Sequence, residues 1–178
     1  LEALTHPFYI INAKDYTIHT ANSAAVSAGY CSSSTCYSIT HQREDPCKGT
    51  DHLCPMEEIK KTGRPVVAEH VHYDKDRGIK HVEVHAYPIF DRDGTVDQII
   101  EYCLDITDRK RMEAALSESE KQYRDLFENA SDMMYTHDME GNYISVNKAA
   151  TRLVGYDSAE FLRLNFRDIV DPEHLSVT

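Results

Sequence analysis

Apolar residues along the chain keep two different rhythms, and the change falls at Thr107. Before it, apolar and polar positions alternate in short runs, the period of half-buried strands. Residues 8–12 form a short apolar run, Lys14 and Asp15 supply a turn, and residues 16–21 alternate well enough for the second arm of a hairpin. Three more strands are expected over residues 65–73, 79–90 and 96–106, separated by Asp- and Gly-rich turns at 74–78 and 91–94. Between the two groups, Asn22 opens a short helix over 24–28 that stops at Gly29, and residues 56–62 give one or two helical turns closed by Gly63. Residues 30–55 show no sustained period. Two strands, short helices and three strands predict an α+β domain, a five-stranded antiparallel sheet with short helices on one face.

From Thr107 the period lengthens to that of a helix. Residues 109–128 are charged and free of Gly and Pro; Thr107 reads as the N-cap, and Asp108 just inside it suits the positive end of the helix dipole. Met112, Leu116, Ser119, Tyr123, Leu126 and Ala130 recur at alternating spacings of four and three, a coiled-coil seam with one polar position. Glu120 and Arg124 support the exposed face. The seam predicts a parallel homodimer through Met112, Leu116, Tyr123 and Leu126. A strand running straight into such a helix is a joint that can carry a mechanical change out of a domain. Beyond it the pattern restarts. A hairpin over 133–146 turns at Glu140-Gly141-Asn142, and Asn147 opens a helix ending at Gly155-Tyr156, as Asn22 opens one ending at Gly29-Tyr30. This internal repeat has no counterpart of the last three strands. The expected organisation is therefore a domain over 1–107, a linker helix over 108–130, and over 131–178 the first part of a second domain belonging to a longer chain.

Composition narrows the function. The formal net charge of −11 argues against nonspecific nucleic-acid or anionic-membrane binding. No apolar run approaches membrane-spanning length, and Leu1-Glu2-Ala3-Leu4 does not resemble a secretory signal, so a cytoplasmic location without membrane contact is expected. There is no Gly-rich phosphate loop, nucleophile elbow or H-E-x-x-H helix, and the expectation is that the chain is not an enzyme.

The sharpest chemical constellation is Cys36-x10-Cys47-x6-Cys54, with Cys31 upstream. Thiolates at these intervals in an irregular loop can converge on one soft ion, and zinc takes four S or N ligands. Ordering such a loop costs roughly 1–2 kcal/mol per residue, whereas a structural zinc site contributes on the order of 10 kcal/mol. Cys31, His41, His52, His70 and His72 are available as the fourth ligand. His70 is the first choice because it would tie the loop to a strand; His41 is the second. An iron–sulfur cluster would need Cys31 as its fourth thiolate, covalent haem lacks its C-x-x-C-H motif, and haem held noncovalently by a histidine, free thiols or a disulfide are further alternatives. His70 and His72 alternate along one strand, as do His81 and His85 around Glu83 on the next; the four can line a pocket or bind metal, and the expectation is a solvated sheet face. Cys103 is expected to be a small buried hydrophobe.

Several segments carry a family resemblance: TANSAA around Asn22, Gly29-Tyr30, VEVHAYPIFDRDG over 82–94, EYCLDITDRKRME over 101–113, and NYISVNKAATRLVGYDSAEFL over 142–162. Together they make the chain resemble tandem PAS sensor domains with the C-terminal PAC motif, as found in prokaryotic sensor histidine kinases, chemoreceptors and cyclic-dinucleotide enzymes. The resemblance implies a PAS fold that perceives a small ligand, metal or redox signal and passes it through the linker helix to an output domain. It also implies that Asp105 and Thr107, with Arg109 nearby, couple the last strand to the helix. Cys36-Tyr37, Pro46-Cys47 and Cys54-Pro55 are similar to a cysteine-containing PAS subset, in which the last two cysteines stand closer together. Two other functions compete with sensing: a metal-dependent enzyme built on the Cys/His cluster, and a pure dimerisation module.

Overall fold

The computed structural model describes residues 5–30, 33–47, 53–73 and 78–171. Cys31, His52 and residues 74–77 of the turn expected at 74–78 lie outside the described residues. The chain forms two compact units, the first ending at Met112 and the second beginning at Glu113.

The first unit holds β1 (Phe8–Asn12), β2 (Ile18–Ala21), α1 (Ser23–Ser27), α2 (Cys36–His41), α3 (Pro55–Thr62), β3 (Val66–Tyr73), β4 (Ile79–Phe90) and β5 (Val96–Asp105), then the start of α4 (Thr107–Asn129). The strands form one antiparallel sheet in the order β2-β1-β5-β4-β3. Period-two alternation sends Tyr9, Ile11, Ile18, Val82, Val84, Ala86, Ile99 and Cys103 to the inner face, where Ala25, Tyr30, Met56 and Ile59 cover them. Burying each large side chain here contributes about 1.5–3 kcal/mol. The cover helices are short, and their ends are specified locally. Pro55 stands in the first turn of α3, and Gly63 closes it at φ 66°, where a Cβ would be strained.

Three expectations are corrected. Residues 36–41 form α2, a short helix that lays Cys36 and Ile39 against the core and ends in a left-handed Gln42 at φ 53°. Tyr16 is not strand but a turn residue at φ 64°. Helix α4 begins at Thr107, so Thr107 is its first helical residue rather than its cap.

In the second unit, β6 (Tyr135–His137) and β7 (Tyr143–Val146) pair antiparallel, followed by α5 (Lys148–Val154), α6 (Ser158–Phe161) and α7 (Phe166–Ile169). Tyr143, Val146, Ala150 and Phe161 make its core, with Tyr143 edge-on to Phe161 at 4.7 Å. Gly141 has φ 91°, and a Cβ there would collide with the Phe166 ring. The repeat is visible in hydrogen bonds. Buried Asn22 accepts from the Ala25 amide (2.9 Å) and the Phe8 amide (3.0 Å) and donates to the His6 carbonyl (3.0 Å). Buried Asn147 accepts from Ala150 (2.9 Å) and Met134 (3.0 Å) and donates to the carbonyls of Asp132 (2.9 Å) and Phe127 (3.0 Å). In each unit one asparagine caps a helix and pins the first strand of a hairpin to it.

Candidate functional site

Between α2, α3 and the inner face of β3–β5 lies a small cavity of about 20 Å³, lined by Cys36, Thr40, His41, Cys47, Cys54, Pro55, Met56, His70, His72, Val84 and Glu101. Three thiols, three imidazoles and a carboxyl thus border one small space. His41 comes from the last turn of α2, Cys54 from the head of α3, and His70 and His72 from alternate positions of β3. The solvated-face expectation therefore fails for His70 and His72, which are 5% and 3% exposed. It is half met by His81 and His85, which sit half-buried on the opposite face. There His85 stacks on Tyr102 at 4.5 Å and pairs with Glu83 at 2.7 Å.

Donor atoms of His41, His70 and His72 all lie within 4.8 Å of one another, the group of three or more such donors that converges among the described residues. Burial pushes the Cys36 thiol up. Cys47 donates to the Cys54 sulfur, which raises Cys47 and lowers Cys54; burial opposes the drop at Cys54, and the Glu57 and Met56 amides at the head of α3 favour it. Burial also drives the Glu101 carboxyl up to about 7, against a hydrogen bond from Tyr9 that pulls it down. Cys103 is buried as expected, its sulfur 3.4 Å from the Tyr9 hydroxyl.

The strand carrying Glu101 ends at the joint with α4. Asp105 accepts from the Thr107 amide at 3.0 Å and pairs with Lys80 at 3.6 Å. Burial works against its charge, but Thr107 and Lys80 hold its carboxyl below the usual value. The Thr107 hydroxyl accepts from the His81 amide (3.0 Å), and the Ile106 amide donates to the His81 carbonyl (2.8 Å). Arg109 does not meet Asp105. It reaches Glu69 at 3.1 Å and Glu83 at 3.8 Å, while Lys110 meets Glu69 at 2.5 Å. The first turn of α4 is thus clipped to β3 and β4 by exposed ion pairs, each worth about 0–1 kcal/mol.

Of the residues singled out in the sequence, Cys36, Cys47, Cys54, His41 and His70 share the cavity, and Cys31 lies outside the described residues. Asp105 and Thr107 meet at the joint. Met112, Leu116, Tyr123 and Leu126 are all exposed along α4. Glu101 was missed, although its parity with Ile99 and Cys103 marks it as inward-facing.

A profile of the family described as PAS fold matches residues 1–111, and one described as PAS domain matches residues 121–177. The chain belongs to the PAS family. A curated protein named methyl sulfide methyltransferase-associated sensor, from Methanosarcina acetivorans, is 33% identical over 61 residues, 34% of this PAS chain and 6% of that protein. The chain therefore spans only about 6% of that relative's length. Among solved structures, an RNA-binding light-oxygen-voltage receptor superposes with a TM-score of 0.55 at 19% identity, covering 67% of this chain and 35% of that one. A sensory box histidine kinase/response regulator from Burkholderia thailandensis gives a TM-score of 0.47 at 17% identity, covering 68% and 92%. The receptor likeness establishes the PAS α+β fold, and family membership supports a sensory role. Between the described residues the cavity has room for an ion or a water-sized group. No helix among the described residues is long and apolar enough to cross a membrane.

Proposed function

We propose that the first unit reads a metal ion, small ligand or redox change in its Cys/His cavity and relays it along β5 to α4. From there it would pass to an output domain of a longer protein, such as a histidine kinase, a cyclic-dinucleotide enzyme or a chemoreceptor. One observation carries this reading. Glu101 on the cavity wall and Asp105 at the joint lie four residues apart on one strand, about 13 Å. The clip on α4 is a set of weak, exposed ion pairs, so a small change in strand position can shift the helix between held and released states. The module binds and relays, with chemistry left to the output domain. The exposed stripe on α4 would pair two copies in parallel, giving the relay a rigid two-stranded output.

Hydrogen exchange across residues 107–129 of the full chain tests the relay. Neutralising the cavity with Glu101→Gln is expected to change exchange in the first turns of α4, and Asp105→Ala in the same chain should abolish that response. If α4 exchange ignores every change made in the cavity, the relay is refuted.

A further inference from the structure

We propose that His41, His70 and His72 hold one divalent transition-metal ion of the zinc class, with the Cys54 sulfur completing a four-coordinate shell. This names the ligand of the sensory cavity and rests on that reading of it. The set differs from the thiolate-rich one expected from spacing, because the folded chain converges imidazoles.

The ring geometry is that of a coordination shell waiting to close. Ring centroids stand 5.4 Å (His41–His70), 5.0 Å (His41–His72) and 5.7 Å (His70–His72) apart. With metal–nitrogen bonds of about 2.0–2.1 Å in a tetrahedron, three imidazole centroids come to lie about 5 Å from one another. The interplanar angles of 52°, 90° and 77° exclude face-to-face stacking. The donor atoms, within 4.8 Å of one another, would close further on a bound ion.

Outer contacts orient two of the three rings. His70 Nε2 lies 2.6 Å from the Leu53 carbonyl oxygen. A carbonyl only accepts, so Nε2 carries the proton and, in the neutral ring, Nδ1 carries the lone pair. His72 Nδ1 lies 3.4 Å from the Tyr30 hydroxyl, which makes Nε2 its ligating nitrogen when Nδ1 donates. A carbonyl or hydroxyl on the far nitrogen is the usual outer partner of a metal-bound histidine. Cys54 borders the same cavity and follows Leu53 directly; its sulfur stands outside the 4.8 Å group and would move inward to complete the shell. Glu101 on the same wall and a Cys54 thiolate supply the two negative charges that offset a buried divalent ion.

The full chain, purified without chelator and loaded with Co²⁺ as the probe, tests this. One ion per chain by native mass spectrometry is expected, with the visible bands of tetrahedral cobalt and a thiolate-to-cobalt charge-transfer band. His41→Ala and His72→Ala should each weaken binding by about tenfold or more. Cys54→Ser should remove the charge-transfer band, and Cys103→Ser should leave both readouts unchanged. His41 is half-buried at a helix end, so its variant stays folded, which circular dichroism checks. Binding that survives both histidine variants but is lost with Cys36→Ser overturns the histidine set in favour of the thiolate-rich one. A folded chain that takes up no cobalt, or a metal-free mass lighter by two protons, overturns the site. Stoichiometric binding with unchanged exchange in α4 would leave the site standing and refute only the relay.

Discussion

Replacing Glu101 by Gln is expected to stabilise the metal-free first unit at alkaline pH and to flatten its pH dependence. The carboxyl is buried against Tyr9 and the cavity thiols, and burial holds it at about 7 rather than the ordinary 4.5. The folded state therefore keeps a proton that the unfolded chain has released. Stability is unaffected below the unfolded value, falls as pH rises between 4.5 and about 7, and above that carries the whole cost. A difference of that size corresponds to about 3 kcal/mol at 1.36 kcal/mol per unit. Gln has no proton to lose and keeps an oxygen for the Tyr9 hydroxyl, so the variant lacks the cost and retains the contact. Wild type and variant should match within about 1 kcal/mol near pH 5 and differ by about 2–3 kcal/mol, variant more stable, near pH 8. Hydrogen exchange of the β1 and β5 amides in the full chain, with chelator present, isolates this unit from the second. A difference below about 1 kcal/mol at pH 8, or one that ignores pH, would refute the reasoning and mean that Glu101 is hydrated.

Three further outcomes are expected. Asn22→Ala and Asn147→Ala each strand two backbone amides, so each should cost its own unit about 2–4 kcal/mol in denaturant titrations, and a loss below about 1 kcal/mol would deny the pinning role. Asp105→Ala should cost about 1 kcal/mol or less, because the Lys80 pair is half-exposed. Since its carboxyl is held below 3.8, that difference should be present above this pH and vanish as pH falls further; a melting curve lowered by tens of degrees would make Asp105 structural instead. Leu116→Asp should convert a dimer to monomer in sedimentation, and wild type that stays monomeric at high concentration would remove the α4 pairing.

Much of the sheet was legible because alternation and turn chemistry agreed. Val82, Val84 and Ala86 on β4, and Ile99 and Cys103 on β5, leave one register that buries them all. The two asparagines were legible as helix starts, though not as the residues that pin each hairpin. Helix α2 was not legible. Its six residues are too few to show a helical period, and packing against β3 rather than local preference decides them. The face of β3 could not be read from alternation either, because Val67 and Val71 compete with His70 and His72, and it is the valines that face solvent. That inversion carries information. Among the described residues, the buried polar side chains are Asn22, Asn147, Thr40, His70, His72 and Glu101. The two asparagines are helix caps with full local justification. The other four all border one cavity beside three thiols, where hydrophobic packing alone would have placed apolar residues. Independent lapses of the inside-apolar rule would scatter over a core, whereas here they converge on a single space. Four buried polar side chains beside three thiols are what the proposed binding role of this cavity requires.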